Sequence, residues 1–188
     1  MDYTNDRGQL LALLKKNLSE EKYIHSLATE KQAIELAELF GVDTQKAGFA
    51  GLMHDVTKCF DDVALARKYG IVKYTSKKTL HQTTGAIYLE KEGITRDADV
   101  LAAVAFHTTG CADMTDLQKI IYLADAIEPN RRYPEVDRLR ELAHTDLDAA
   151  MRYSLATTVE RLKSRNLPID ENTILAYNSF NKSFRRDA

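Results

Sequence analysis

The sequence predicts an all-α chain folded as a single-domain helical bundle, residues 1–188. Three observations carry this expectation. Glycine and proline are scarce, at 8 and 3 in 188 residues, so few segments are interrupted. No segment alternates apolar and polar residues as a half-buried strand requires. Helix-capping residues fall at the ends of segments that carry helical apolar spacing. No repeat, low-complexity stretch or long linker marks a second domain, and a chain of this length suits one core.

The elements follow in order. A first helix covers about Asp6 to Leu18. A second covers about Lys22 to Phe40, with Ile24, Leu27, Ala28, Ile34 and Ala37 on one stripe, and Gly41 suits its C-terminal cap. Asp43 or Thr44 can cap a third helix running to His54. In it Gly48 and Gly51 lie one turn apart, which would allow a close helix contact. A short helix from Asp61 to Tyr69 ends at Gly70, and Ile71 to Lys78 reads as loop. A helix from Thr79 to Lys91 is closed by Gly93. Thr95 can cap another that ends near His107. Thr115 with Gln118 forms a capping box for Asp116 to Ile127, stopped by Pro129. A shorter helix spans Glu135 to Ala143. Thr145 with Asp148 reads as a second capping box, opening a helix to about Arg165. The last helix covers Glu171 to Phe184.

Composition narrows the function. Hydrophobic residues make up 44% and charged residues 29%, with a formal net charge of −2. A general nucleic-acid or membrane-surface binder would want a basic excess, so neither is expected. No apolar run is long enough to span a membrane. The polar, acidic start is unlike a signal peptide. Cys59 and Cys111 are isolated, which reads as two free thiols in a reducing compartment. A cytoplasmic location is the expectation.

Chemistry is concentrated in a spaced series: His25, His54-Asp55, His81, His107 and Asp125. Four of the five histidines fall in it. Imidazole and carboxylate are the usual ligands of a hydrolytic divalent metal. Adjacent helical residues point about 100° apart, but at a helix end the second can swing back, so His54 and Asp55 can face one pocket. Asp125 lies one turn after Ile121, at the edge of a stripe formed by Leu117, Ile120, Ile121 and Ala124. A buried Asp without a partner costs several kcal/mol or protonates, and a metal removes that cost. Each histidine alone reads as an ordinary surface or core residue. Asp125 alone could cap a helix or pair with an arginine. The joint pattern makes the case. His144, between two helices, stays outside it.

Lys58, three residues after Asp55, could reach a phosphate held at such a metal; its bland alternative is a solvated lysine. Asn130-Arg131-Arg132 could hold a polyphosphate or be a solvated turn. Thr108 and Thr109, after His107, offer hydroxyls and backbone N–H groups to an anion, or merely end a helix.

The order His … His-Asp … Asp on helices resembles the HD-domain superfamily of metal-dependent phosphohydrolases. Three segments resemble, more narrowly, its YqeK family of symmetrical diadenosine tetraphosphatases: Leu52-Met53-His54-Asp55-Val56-Thr57-Lys58, Phe106-His107-Thr108-Thr109-Gly110 and Tyr122 through Arg131. The likeness runs from about His25 to Asn178. It implies an HD-type helical domain that cuts the dinucleotide into two ADP. It implies iron or a similar divalent ion (manganese or cobalt among them) held by His25, His54, Asp55 and Asp125. It also implies nucleotide contacts at Lys58, His81, His107, Thr108, Thr109, Arg131, Tyr177 and Asn178, although Tyr177 equally suits a core stripe. His81 and His107 would face the phosphates, although they leave room for a second ion. On this hypothesis Asp55, Lys58, His81, His107 and Asp125 form the catalytic group, with Lys58, Arg131 and protonated His81 or His107 neutralising phosphate charge.

The rival readings are another HD-type phosphohydrolase, acting on a deoxynucleotide or guanosine alarmone, and a non-catalytic metal-stabilised nucleotide-binding module. A plain structural bundle is the blandest. The expected partner is a dinucleoside polyphosphate or an ADP-type nucleotide, and a homodimer is left open.

Overall fold

The computed structural model describes residues 3–72 and 74–184 and, among them, contains helices and no strand. The helices are α1 (Tyr3–Asn17), α2 (Glu20–Phe40), α3 (Thr44–Met53), α4 (Asp62–Lys68), α5 (Leu80–Lys91), α6 (Ala98–Phe106), α7 (Asp116–Ile127), α8 (Val136–Ala143), α9 (Leu147–Ser164) and α10 (Glu171–Phe184). A 3-10 turn, Lys77–Thr79, precedes α5.

Most ends are set by short polar side chains. Asp43 accepts from the N–H groups of Gln45 and Lys46 at the start of α3, which satisfies donors the helix itself cannot. Thr115 and Gln118 form the expected reciprocal box on α7. Gly41 caps α2 in the left-handed region, at φ 68°. Two caps differ from expectation. Asp97 rather than Thr95 opens α6, with the Thr95 hydroxyl accepting from the Asp97 N–H. The Thr145–Asp148 box does not form. Asp146 caps α9, while the Thr145 hydroxyl donates back to Glu141 and Leu142 carbonyls. A carboxylate two residues before the first free N–H groups is the better acceptor, so the cap moves one residue on.

Helix α7 is the centre of the bundle and packs against α2, α3, α6, α8 and α9. Its residues Leu117, Ile120, Ile121 and Ala124 are buried, with Leu123 and Ile127 beside them. Burying each such aliphatic chain contributes roughly 1.5–3 kcal/mol. Helices α2 and α3 approach closely because Gly51 has no side chain. A Cβ there would lie 2.9 Å from Ala33 Cβ and 3.0 Å from the Thr29 carbonyl oxygen.

The inward face of α2 is not the expected apolar stripe. Ile24 is 48% exposed, whereas His25, Ser26, Thr29, Ala33, Leu36 and Ala37 are buried. The helix is rotated so that polar residues point inward near its N-terminus, where the functional cluster lies. No described helix is long and apolar enough to cross a membrane. Cys59 and Cys111 are free thiols.

Candidate metal centre

Four histidines and two aspartates meet where α2, α5 and α7 face the ends of α3 and α6. His25 comes from the first turns of α2. His54 caps the C-terminus of α3. After it the chain tightens into i to i+3 hydrogen bonds, Val56 N–H to Met53 O at 3.1 Å and Lys58 N–H to Asp55 O at 2.8 Å. With three residues per turn, positions i and i+3 eclipse. This is how both halves of the His-Asp pair turn inward, and why Lys58 Nζ stands 3.4 Å from Asp55 Oδ1. His54 is fully buried and Asp55 is 3% exposed.

The imidazoles are held by their outer nitrogens. His54 Nδ1 lies 2.7 Å from the Gly51 carbonyl and His107 Nδ1 2.8 Å from the Val104 carbonyl. His25 Nδ1 lies 3.2 Å from Glu128 Oε1. A carbonyl or carboxylate only accepts, so each Nδ1 is the donor and, in a neutral ring, each Nε2 presents a lone pair. Those lone pairs converge. His25 Nε2 and His54 Nε2 are 3.2 Å apart. Asp125 Oδ1 is 3.0 Å from the first and 3.9 Å from the second. Asp55 Oδ2 is 3.7 Å from His54 Nε2.

Two facing lone pairs flanked by carboxylates require a cation. Ligand pairs about 2.1 Å from a shared ion stand about 3.0 Å apart at right angles and about 3.4 Å apart in a tetrahedron. The observed separations sit near these values. Asp55 Oδ1 is buried and makes no well-formed hydrogen bond, with Lys58 Nζ, His81 Nε2 and His107 Nε2 standing off at 3.4, 3.3 and 3.5 Å, so it keeps capacity to coordinate a cation. The donor set therefore fits a divalent metal ion.

The protonation pattern agrees. Burial pushes the His54 imidazole down to about 4, keeping it neutral. Burial alone would also lower His25, but the hydrogen bond and charge of Asp125 outweigh it and raise its pKa. The two facing nitrogens are thus biased in opposite directions by burial and by the Asp125 charge. Burial alone would raise Asp125, yet the His25 hydrogen bond and the neighbouring cations hold it well below the usual carboxylate range. Asp55 is lowered in the same way, against its burial, by the surrounding histidines and Lys58.

The other half of the cluster carries donors. Lys58 Nζ is 2.8 Å from His81 Nε2, and that nitrogen is 3.1 Å from His107 Nε2 and 3.2 Å from the Thr108 hydroxyl. Arg131 pairs with the Asp125 carboxylate and donates from Nε to the Asp125 carbonyl at 2.8 Å. Beside it opens a cavity of about 490 Å³. His107, Thr108, Asp125 and Arg131 line its near end and Arg161, Leu167 and Asp170 its far end.

The expected residues are placed unequally. His25, His54, Asp55, Lys58, His81, His107 and Asp125 come together, and Arg131, Thr108 and Thr109 border them. Tyr177 and Asn178 do not line the cavity. Tyr177 packs against the core and Asn178 is exposed, because the helical spacing that suited a core stripe decides their direction. Thr173, Asp170 and Pro168 reach the cavity instead. The backbone N–H groups of Thr108 and Thr109 are not free for an anion, since both donate to Gln82 Oε1, at 3.0 and 3.1 Å. Protonated His81 is also corrected. Burial, then His107 and Lys58, push it down to about 3, so it is neutral. Three contributors escaped the sequence reading: Glu128 behind His25, Gln82 behind the threonines, and Lys78 on the cavity wall. His144 is peripheral as expected, bonding Arg140 and Glu35 at the surface.

Fold and site together define an all-α hydrolase built around a divalent metal. The HD domain family model matches residues 23–130, more than half the chain. The chain belongs to the HD-domain family. It is 40% identical over 179 residues to the symmetrical bis(5'-nucleosyl)-tetraphosphatase of Halalkalibacterium halodurans, covering 92% of this chain and 96% of that one. It is 38% identical to the enzyme of the same name from Bacillus subtilis, with the same coverage. The crystal structure of a predicted HD superfamily hydrolase involved in NAD metabolism, from Clostridium acetobutylicum, is similar at a TM-score of 0.87 and 34% identity. It covers 94% of this chain and 97% of that one.

Proposed function

We propose that this protein hydrolyses diadenosine tetraphosphate symmetrically into two ADP. The observation that carries the reading is the cluster of inward Nε2 lone pairs and carboxylates beside a cavity of nucleotide size, in a chain similar over most of its length to enzymes named for this reaction. His25, His54, Asp55 and Asp125 would hold the ion. Their mixed nitrogen and oxygen donors suit iron, and also manganese or cobalt. When bound, such an ion lowers the pKa of water and offsets phosphate charge.

The chain's own residues do the rest. Lys58 and Arg131 supply fixed positive charge where phosphate oxygens gain negative charge in the transition state. Lys58 donates to neutral His81, which keeps the ammonium directed at the cluster. The Thr108 hydroxyl offers a further donor on the cavity side. Water adds to one central phosphorus and the bond from that phosphorus to the central bridging oxygen breaks. One ADP gains the water oxygen and the other leaves with the bridging oxygen. The reaction is consistent with action in the cytoplasm on a small soluble substrate.

Chromatography of the products tests this directly. Metal-loaded protein is expected to give ADP alone. AMP with ATP would mean an asymmetric cut and overturn the reading. Turnover of a deoxynucleotide or guanosine alarmone in preference to the dinucleotide would favour the rival phosphohydrolase.

A further inference from the structure

The cavity described above has a volume of about 490 Å³, and a symmetrical dinucleotide has two equal halves to place. A second cleft, of about 480 Å³, opens beside His25. Lys22, Ile24 and His25 of α2 form one wall, and Arg131, Arg132 and Tyr133, after α7, form the other. The two spaces nearly match in volume and share Arg131 and Tyr133. Asp125 lines the first and His25 the second, and these two side chains are 3.0 Å apart. The His25–Asp125 edge of the cluster thus lies where the two clefts meet.

We propose that this second cleft binds the other nucleoside diphosphate half of the dinucleotide, so that the bond to be cut lies over the cluster between two nucleoside pockets. The inference rests on the substrate reading above. Its chemistry suits the ligand. Lys22, Arg131 and Arg132 bring three cations to an anionic chain. Of the two acids there, Glu128 is already engaged, with Oε1 on His25 and Oε2 accepting from the Asn130 N–H at 2.7 Å. Glu21 is 86% exposed and stands 3.6 Å from Lys22 Nζ, a solvent-screened pair that an anionic chain can displace. Ile24 is a large apolar side chain left 48% exposed on a helix whose inward face is polar, and it offers a surface to a base. The Tyr133 hydroxyl donates to the Ala126 carbonyl at 2.8 Å, which fixes its ring on the boundary between the two spaces. A nucleotide with one nucleoside should use only the first cavity, whereas a dinucleotide should need both.

The test compares diadenosine tetraphosphate with adenosine 5'-tetraphosphate, which has the same phosphate chain and one nucleoside. Metal-loaded wild type, Ile24→Ala and Ile24→Glu are assayed for ADP release from each. The Ile24 side chain is half exposed on α2, and circular dichroism checks that the variants keep the fold. Ile24→Glu is expected to lose about tenfold or more in kcat/KM for the dinucleotide and to change by less than about twofold for the mononucleotide, with Ile24→Ala between the two. A wild type that releases no ADP from the dinucleotide overturns the substrate reading and the cleft with it. A wild type that does, with variants that lose both substrates alike or neither, overturns the cleft alone.

Discussion

The two halves of the polar cluster are built from the same residue types and behave oppositely. On one side, His25 and His54 turn lone pairs toward each other and toward Asp125, and each Nδ1 is tied to an acceptor. That arrangement attracts a cation. On the other side, His81 and His107 also face each other, at 3.1 Å, but Lys58 stands at 2.8 Å from His81 and supplies a positive charge. That arrangement already has a positive charge beside it. One lysine, placed over Asp55 by a single tight turn, distinguishes the two halves, and on the proposed reading the first holds the metal and the second faces the phosphates. The ligand type does not decide the role of a histidine here; the charge beside it does.

The largest expected effect comes from removing the carboxylate that joins the halves. Asp55→Ala should reduce activity to background and abolish metal binding together, measured by turnover and metal analysis of one preparation. Full activity in a metal-free variant would break the comparison. Next, Lys58→Ala should retain the metal and lower kcat about 100-fold, the scale of a lost charge stabiliser. Lost metal would put Lys58 on the wrong side, and unchanged kinetics would remove it from the mechanism. Glu128→Gln keeps the shape beside His25 but weakens its orientation, and should cost about 10- to 100-fold in metal affinity. Titration calorimetry checks it. The smallest effect is that of pH. His25 has a raised pKa, so below it a metal must displace a proton. Apparent metal affinity should fall as pH drops through that pKa, by up to about tenfold per pH unit. Affinity that is flat or improves on acidification would contradict the assignment of His25 as a ligand.

Much of this was legible because helix ends and metal ligands leave local marks. The Thr115–Gln118 box and the Gly41 cap are short-range signals, and both form; the His54-Asp55 pair is another, and both its side chains are buried at the cluster. The α2 stripe was not legible, because apolar spacing assumes that the buried face is apolar. Near its N-terminus α2 buries His25, Ser26 and Thr29 instead and leaves Ile24 outside. Glu128 escaped for a related reason. It stands 103 residues from His25, and in sequence it is an ordinary acid before Pro129. Gln82 likewise acts on threonines 26 and 27 residues away. Residues that orient others are chosen by proximity in space, which no local pattern records.

Anomalous diffraction at the absorption edge of the bound metal tests the central claim most directly. Crystals of the metal-loaded protein should show a peak about 2.0–2.3 Å from His25 Nε2, His54 Nε2 and the carboxylate oxygens of Asp55 and Asp125. A sole peak between His81 and His107, beside the Lys58 ammonium, would contradict it.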